Sequence, residues 1–309
     1  MTEAGELGWW GVLFAIFAGA IRVSTPYLLV SLGETITEKS GRTNLGLEGT
    51  LVLGAMCAFA TSVITGSPWL GVLAAGVAGA SLGLLHALIC NLPRVNDIAV
   101  GIALFLLGVG LAFYFGKPFI EPRATMLTGI SLGFWSDHPA IRSGLEVNPL
   151  FFLGLLLAIF LQWSLINTKW GLYLRMAGES EDAARAVGRS VQSVRTYATV
   201  FGGFISGLGG ASLSLFYPGN WNEGLSSGQG LMAIALVIFA RWNPVRCFYA
   251  SLLFGGASAI GPALQSVGIN QGYYLINAAP YVFTLGLLIY SSSASYRLAG
   301  APSELSLSR

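Results

Sequence analysis

Charge is what this sequence has least of. Only 10% of its 309 residues are Asp, Glu, Lys or Arg, against roughly 25% in a soluble globular chain. So few charges cannot cover a water-facing surface, which excludes a soluble fold. Histidine is scarcer still, with His86 and His138 alone. Three cysteines, Cys57, Cys90 and Cys247, are too scattered for a CxxC pair or a metal cluster. They read as small packing residues, and no metal site is expected. No HExxH, no GxSxG and no paired carboxylates on one helical face are found, so no enzyme active site is visible. No GxxxxGK[ST] phosphate loop occurs, so the chain cannot hydrolyse ATP on its own. Its net charge of +2 does not point to a nucleic-acid partner. The opening MTEAGELG lacks the basic region of a secretory signal, so the first apolar run is expected to be retained as a span.

What is abundant is apolar. Hydrophobic residues make up 54% of the chain, and the mean hydropathy is +0.69. A spanning helix takes about 20 apolar residues. Runs that meet or approach this are 9–30, 45–65, 69–92, 97–116, 147–167, 196–216, 229–240, 245–262 and 275–292. The run at 229–240 is too short to cross alone and reads as a broken or re-entrant segment. The fold class is therefore all-α, a polytopic transmembrane bundle of about 8–10 segments, read as one permease-like domain over 1–309. Glycine is plentiful at 41 residues, about twice the usual share. Small-xxx-small pairs at Gly79/Gly83, Gly203/Gly207 and Gly255/Ala259 mark close helix contacts. Two hairpins, 45–92 and 229–262, turn at Gly66-Ser67-Pro68 and Trp242-Asn243-Pro244, which suggests a weak internal repeat.

The cations are sorted by side. When the connections are numbered alternately, one side holds Lys39, Arg42, Arg94, Lys169, Arg175, Arg185, Arg189, Arg195, Arg241, Arg246, Arg297 and Arg309. The other holds Lys117, Arg123 and Arg142, and Arg22 lies within the first run. This bias makes the stretch 171–195 and the C-terminus cytoplasmic and the N-terminus external. The longest external connection, 117–146, suits a docking surface for an external partner or a passive link.

The stretch 171–195, GLYLRMAGESEDAARAVGRSVQSVR, is polar and helical in pattern between two apolar runs. Ala183, Ala184, Val187, Val191 and Val194 form one apolar stripe on a short helix. Ser180 is placed to cap its start, and Glu181 and Asp182 suit the positive end of the helix dipole. Gly188 lets the chain bend or another surface approach. The spacing of Asp182-Ala183-Ala184 to Gly188 resembles the "EAA…G" loop of ABC importer permeases, where the loop forms a coupling helix that docks on the ATPase. Against it stands an ordinary amphipathic loop.

Polar groups inside the apolar runs default to a functional reading. Asn44, Glu48, Asn96 and Gln229 are candidates for a polar translocation path. Glu48 and Asp97 also lie near helix N-termini, where the dipole favours a carboxylate with no substrate involved. His86 is read as an interhelical hydrogen-bonding group.

Four stretches together resemble one family. Residues 38–56, EKSGRTNLGLEGTLVLGAM, are similar to the N-terminal signature of ABC importer permeases for nucleosides and simple sugars, relatives of the ribose and branched-chain amino-acid permeases. Residues 174–188, 202–211 and 228–244 resemble that family's coupling region, the helix after it, and its re-entrant stretch and turn. Ala240 stands where the family's pattern has glycine. Leu225-Ser226-Ser227-Gly228-Gln229 looks like the signature of ABC ATPases. Without a phosphate loop, and on the external side, it reads instead as a glycine-loosened lead into the short segment.

The resemblance implies a permease subunit of an ABC importer in a bacterial-type cytoplasmic membrane. It implies ATPase coupling through Arg175, Gly178, Glu179, Asp182, Ala183, Ala184, Arg185 and Gly188. The implied partners are a second permease, cytoplasmic ABC ATPases that bind ATP and Mg, and an extracytoplasmic substrate-binding protein. The chain length resembles the shorter of two unlike permeases, which favours a heterodimer. A neutral cargo, a nucleoside or else a simple sugar, fits the lack of intramembrane charge clusters. The rival readings are an ion-coupled secondary transporter and a membrane-bound transferase or scramblase.

Overall fold

In lipid, every backbone N–H and C=O has to be satisfied within the protein, and this chain does so with long apolar helices. The computed structural model describes residues 8–137, 139–266, 278–291 and 300–307. His138, Arg297, Arg309 and the acidic start lie outside these residues.

The first four helices are α1 (Gly8–Lys39), α2 (Leu47–Thr65), α3 (Pro68–Cys90) and α4 (Asp97–Gly116). A 3-10 turn follows at Lys117–Phe119. In the long connection, β1 (Ile130–Ser131) pairs antiparallel with β2 (Glu146–Val147) around the short α5 (Pro139–Gly144). Next come α6 (Pro149–Asn167), α7 (Lys169–Glu179), α8 (Glu181–Ala186), α9 (Val191–Leu215), α10 (Gln229–Phe239) and α11 (Pro244–Ser266). The last two are α12 (Ala279–Ser291) and α13 (Ser303–Leu307).

Seven described helices are long and apolar enough to cross a membrane. With the 11-residue α10 and the 13-residue α12, they match the nine predicted runs. Residues 275–277 and 292 of the last run are not among those described.

Local chemistry sets the ends. Gly66, at φ 71°, closes α2, and Pro68 opens α3. The Asn96 side chain caps α4 by accepting the Ala99 N–H at 3.0 Å. Asn148 caps α6 by accepting the Leu150 N–H at 2.9 Å. Both spend a short polar side chain on an otherwise orphaned helix donor.

Two predicted boundaries are corrected. The first run was expected to end near residue 30, yet α1 continues to Lys39. Its last turns carry Glu34, Thr35, Thr37 and Glu38, all buried, so tertiary contacts supply what lipid cannot. The short helix capped by Ser180 was expected to run to about residue 190. Ser180, extended at φ −160°, caps it as read, but the helix closes at Ala186 and the chain turns at Gly188 before α9 begins. The predicted apolar stripe is broken with it. Ala184 and Val191 are buried, whereas Ala183 and Val187 face outward.

At the centre stands α9, 83% of whose apolar window is buried. It packs against α1, α2 and α3. The small-xxx-small pairs explain how. A Cβ on Gly79 would collide with the Gly203 carbonyl oxygen, and one on Gly207 with that of Ala75. Thus α3 and α9 meet backbone to backbone, the close approach that drives association where lipid removes the hydrophobic term. Gly255 and Ala259 do the same work between α11 and α1, against Ala20 and Gly19.

Candidate functional site

The polar turn between α7 and α9 is built from three short-range decisions. Ser180 ends α7, its N–H bonding the Met176 carbonyl at 2.9 Å. Its hydroxyl then accepts the Ala183 N–H at 3.3 Å and starts α8. Gly188, at φ 74°, turns the chain away, and Ser190 caps α9 through the Ser193 N–H at 3.4 Å. Ala184 packs into a small cluster with Ala177 and Val191.

The turn is then fastened to the bundle. Gly178 lies so close to the end of α1 that a Cβ there would strike the Lys39 carbonyl oxygen. Arg195, on the second turn of α9, has a side chain only 11% exposed. Its guanidinium donates to the Ser40 carbonyl at 3.0 Å, the Ala177 carbonyl at 3.1 Å, Glu181 Oε1 at 2.6 Å and Glu304 Oε2 at 3.5 Å. One side chain thereby joins α1, α7, α8, α9 and α13. Glu181 also pairs with Arg185 at 2.9 Å, and Ser303 donates to Glu179 at 2.8 Å.

The proposed coupling residues fall into two groups. Gly178 and Ala184 are buried on the inner side. Asp182, Ala183, Arg185 and Gly188 are exposed on the outer side, beside Val187 at 54% exposure. Arg175 is exposed and donates to its own helix at Gly171, at 3.4 Å. Arg189 stacks over the Tyr173 ring, 4.5 Å from its centroid. Residue-level reading missed Arg195, Glu181 and Glu304 as partners. Nothing local marks them, because their meeting depends on where α9 and α13 come to lie.

The second polar site surrounds the short helix α10. Glu48 is buried in the first turn of α2. Its carboxylate accepts from the Ser226 hydroxyl at 2.5 Å, the Gly228 N–H at 3.0 Å and the Gly230 N–H at 2.6 Å. The dipole argument thus holds for a helix other than its own, since Glu48 binds the positive N-terminus of α10. The 225–229 stretch that mimics an ATPase signature supplies two of those three donors, Ser226 and Gly228, and Gly230 follows just beyond it. Ser227 and Gly228 both have positive φ, 48° and 83°, which turns the backbone N–H groups toward the carboxylate. Beside them, Gln229 Oε1 is buried without a protein partner among the described residues.

The other candidate path residues sit in turns. The Asn44 N–H donates to Glu34 Oε1 at 2.8 Å, and its own Oδ1 accepts the Gly46 N–H at 2.9 Å. Asn96 is the α4 cap described above. Near it, Asp97 pairs with Arg42 at 3.0 Å, and Arg42 also donates to Asn91 at 2.8 Å.

Two sequence readings need revision here. Glu34 and Glu38 are paired carboxylates one turn apart on α1, both buried. They were missed because the apolar run was closed too early. Glu38 accepts from the Trp242 indole N–H, which ties the end of α1 to the α10–α11 turn. Cysteine and histidine are also less scattered than their spacing suggests. Ligand-type atoms of His86, Cys90 and Asp97 lie within 4.8 Å of one another, and the cation beside Asp97 is the Arg42 guanidinium.

Residues 16–292 match the family described as "Branched-chain amino acid transport system / permease component". The chain belongs to that permease family. TsgC13 of Haloferax volcanii, provisionally named a glucose ABC transporter permease protein, is 31% identical, over 92% of this chain and 94% of the relative. The nucleoside ABC transporter permease protein NupC of Lactococcus lactis subsp. cremoris is 29% identical, over 88% and 90%. The guanosine ABC transporter permease protein NupQ of Bacillus subtilis is 30% identical, over 89% and 91%. The permease is thus a multi-pass membrane protein of the ABC transporter class, a transport subunit and not an enzyme.

Proposed function

We propose that this permease imports a small neutral solute, a nucleoside in the first place, by alternating access driven by separate cytoplasmic ATPases. A simple sugar is the second reading, favoured by the likeness to TsgC13. The observation that carries the coupling part is the two-sided turn at 171–195. Its inner side is anchored through Gly178, Ala184 and Arg195, while Asp182, Ala183, Arg185, Val187 and Gly188 stay exposed. A rigidly held polar knuckle with a free outer face suits docking in a groove of an ATPase. ATP and Mg are bound by that partner.

The complex needs two further partners. One is a second permease, with an unlike subunit favoured over a second copy. The other is an extracytoplasmic substrate-binding protein, for which the exposed Phe134 and Trp135 of the long connection are suited anchors. The bundle sits in a bacterial-type cytoplasmic membrane, with the 171–195 turn inside. On the path itself, Gln229 is the residue placed to meet cargo, because its buried carbonyl oxygen has no protein partner among the described residues. Asn44, Glu48 and Asn96 act through the turns and the α10 end that they hold.

Ala183→Glu tests docking without touching the buried face. In the assembled transporter it should abolish ATPase association and uptake, while the permease itself stays folded. Full uptake in this variant refutes the docking assignment. For the cargo, thermal-shift screening of the cognate binding protein against nucleosides, bases and sugars decides between the two readings.

A further inference from the structure

The docking face explains where a partner touches but not how its motion reaches the membrane. The short helix α8 has six residues and little apolar contact of its own beyond Ala184. Something else has to make it move together with the bundle. The only charged group on α9 that reaches into this turn among the described residues is Arg195.

We infer that Arg195 is the positioning residue that transmits displacement of α8 to the central helix α9, and that Glu304 on α13 closes the clasp from the other side. The inference rests on the docking reading above. The geometry is specific to a guanidinium. Arg195 Nε takes the Ser40 carbonyl, Nη1 takes Glu181, and Nη2 takes both the Ala177 carbonyl and Glu304. All three nitrogens are engaged, in a fork that an ammonium cannot reproduce. Glu304 also accepts the Glu181 N–H, at 3.4 Å, so α13 holds α8 by its backbone as well as through the arginine. Gly41, at φ 88°, leaves room for this packing. A Cβ there would lie 2.9 Å from Arg195 Nη2 and 3.1 Å from Glu304 Cβ. Lys39 ties the same end of the chain down by donating to the Gly300 carbonyl at 2.9 Å.

A push on α8 therefore reaches α9 through a charge-assisted contact of 2.6 Å, and from α9 it passes to α1, α2 and α3 by packing. Arg195→Lys keeps the charge but loses the planar fork that holds four acceptors at once. It should leave docking intact and slacken the link.

The test uses the complete transporter in proteoliposomes with its ATPases and binding protein. It compares Arg195→Lys, Glu304→Ala and the docking variant Ala183→Glu. Solute moved per ATP hydrolysed should fall about tenfold in Arg195→Lys, the change expected from losing charge-assisted hydrogen bonds in a partly buried site. Glu304→Ala should fall less and in the same direction. In both, ATPase co-purification and ATP hydrolysis should stay near wild type. A wild-type transport ratio in Arg195→Lys, with Ala183→Glu inactive, overturns the transmission role and leaves docking standing. Equal loss of co-purification and uptake in Arg195→Lys also overturns it, because the arginine then serves assembly alone. If Ala183→Glu is itself fully active, the docking reading fails first.

Discussion

Glu48 and Gly230 are joined across 182 residues of sequence, the Glu48 carboxylate accepting the Gly230 N–H at 2.6 Å. An internal anion thereby sits on the N-terminus of a helix too short to cross the membrane. Ser226 and Gly230 are buried, so without the carboxylate their donors would be left unpaired at a cost to burying this end of α10.

Glu48→Gln should therefore destabilise the permease by about 2 kcal/mol, the worth of hydrogen bonds to a charged group. Glutamine keeps the shape but turns an N–H₂ donor toward N–H donors. Ser226→Ala removes one of three donors and should cost about 1 kcal/mol. Thermal unfolding in detergent reads both, and an unchanged melting temperature in Glu48→Gln means the carboxylate does not hold α10.

Trp242→Phe should destabilise by about 1–3 kcal/mol, because it leaves buried Glu38 without its indole donor. Combined with Glu38→Gln the losses should be less than additive, since both changes act on one contact. Additive losses in that double-mutant cycle separate the two residues.

Glycine replacements should split by location. Gly203→Ala strikes the Gly79 carbonyl oxygen and should cost about 1–3 kcal/mol as overpacking. Gly110→Ala in α4 meets nothing within 4 Å and should stabilise by up to about 1 kcal/mol through helix propensity. Equal melting temperatures for the two variants would contradict the α3–α9 packing.

Orientation can be read chemically. In a chain with its three native cysteines replaced by alanine, Val187→Cys should react with a membrane-impermeant maleimide only in inside-out vesicles. Phe134→Cys, at a position 76% exposed, should react only in right-side-out vesicles. Labelling of both from one side places the 171–195 turn wrongly.

Much of this architecture is legible in the residues themselves. Apolar runs and small-xxx-small pairs are local patterns, and they lead to the spans and to the faces where helices approach closely, though not to which helix meets which. A cap such as Ser180 is local too, since it acts within three residues of itself, and so is Asn96, which was read as a path group and proves to be a cap. The polar links are of another kind. Glu48 finds Ser226, Glu38 finds Trp242 and Arg195 finds Glu304 only after the bundle forms. A pattern three or four residues wide holds no record of such partners. The end of α1 went unread for a related reason. Glu34 and Glu38 look like the end of a span until it is known that the bundle buries them.

Where Gly79 faces Gly203, α3 and α9 meet with backbone alone between them, so each helix is cut to fit the other. Chimeras with relatives such as NupQ should respect that seam. Transplanting α3 alone imports a surface shaped for a foreign neighbour, whereas exchanging α3 and α9 together carries the fit along with them.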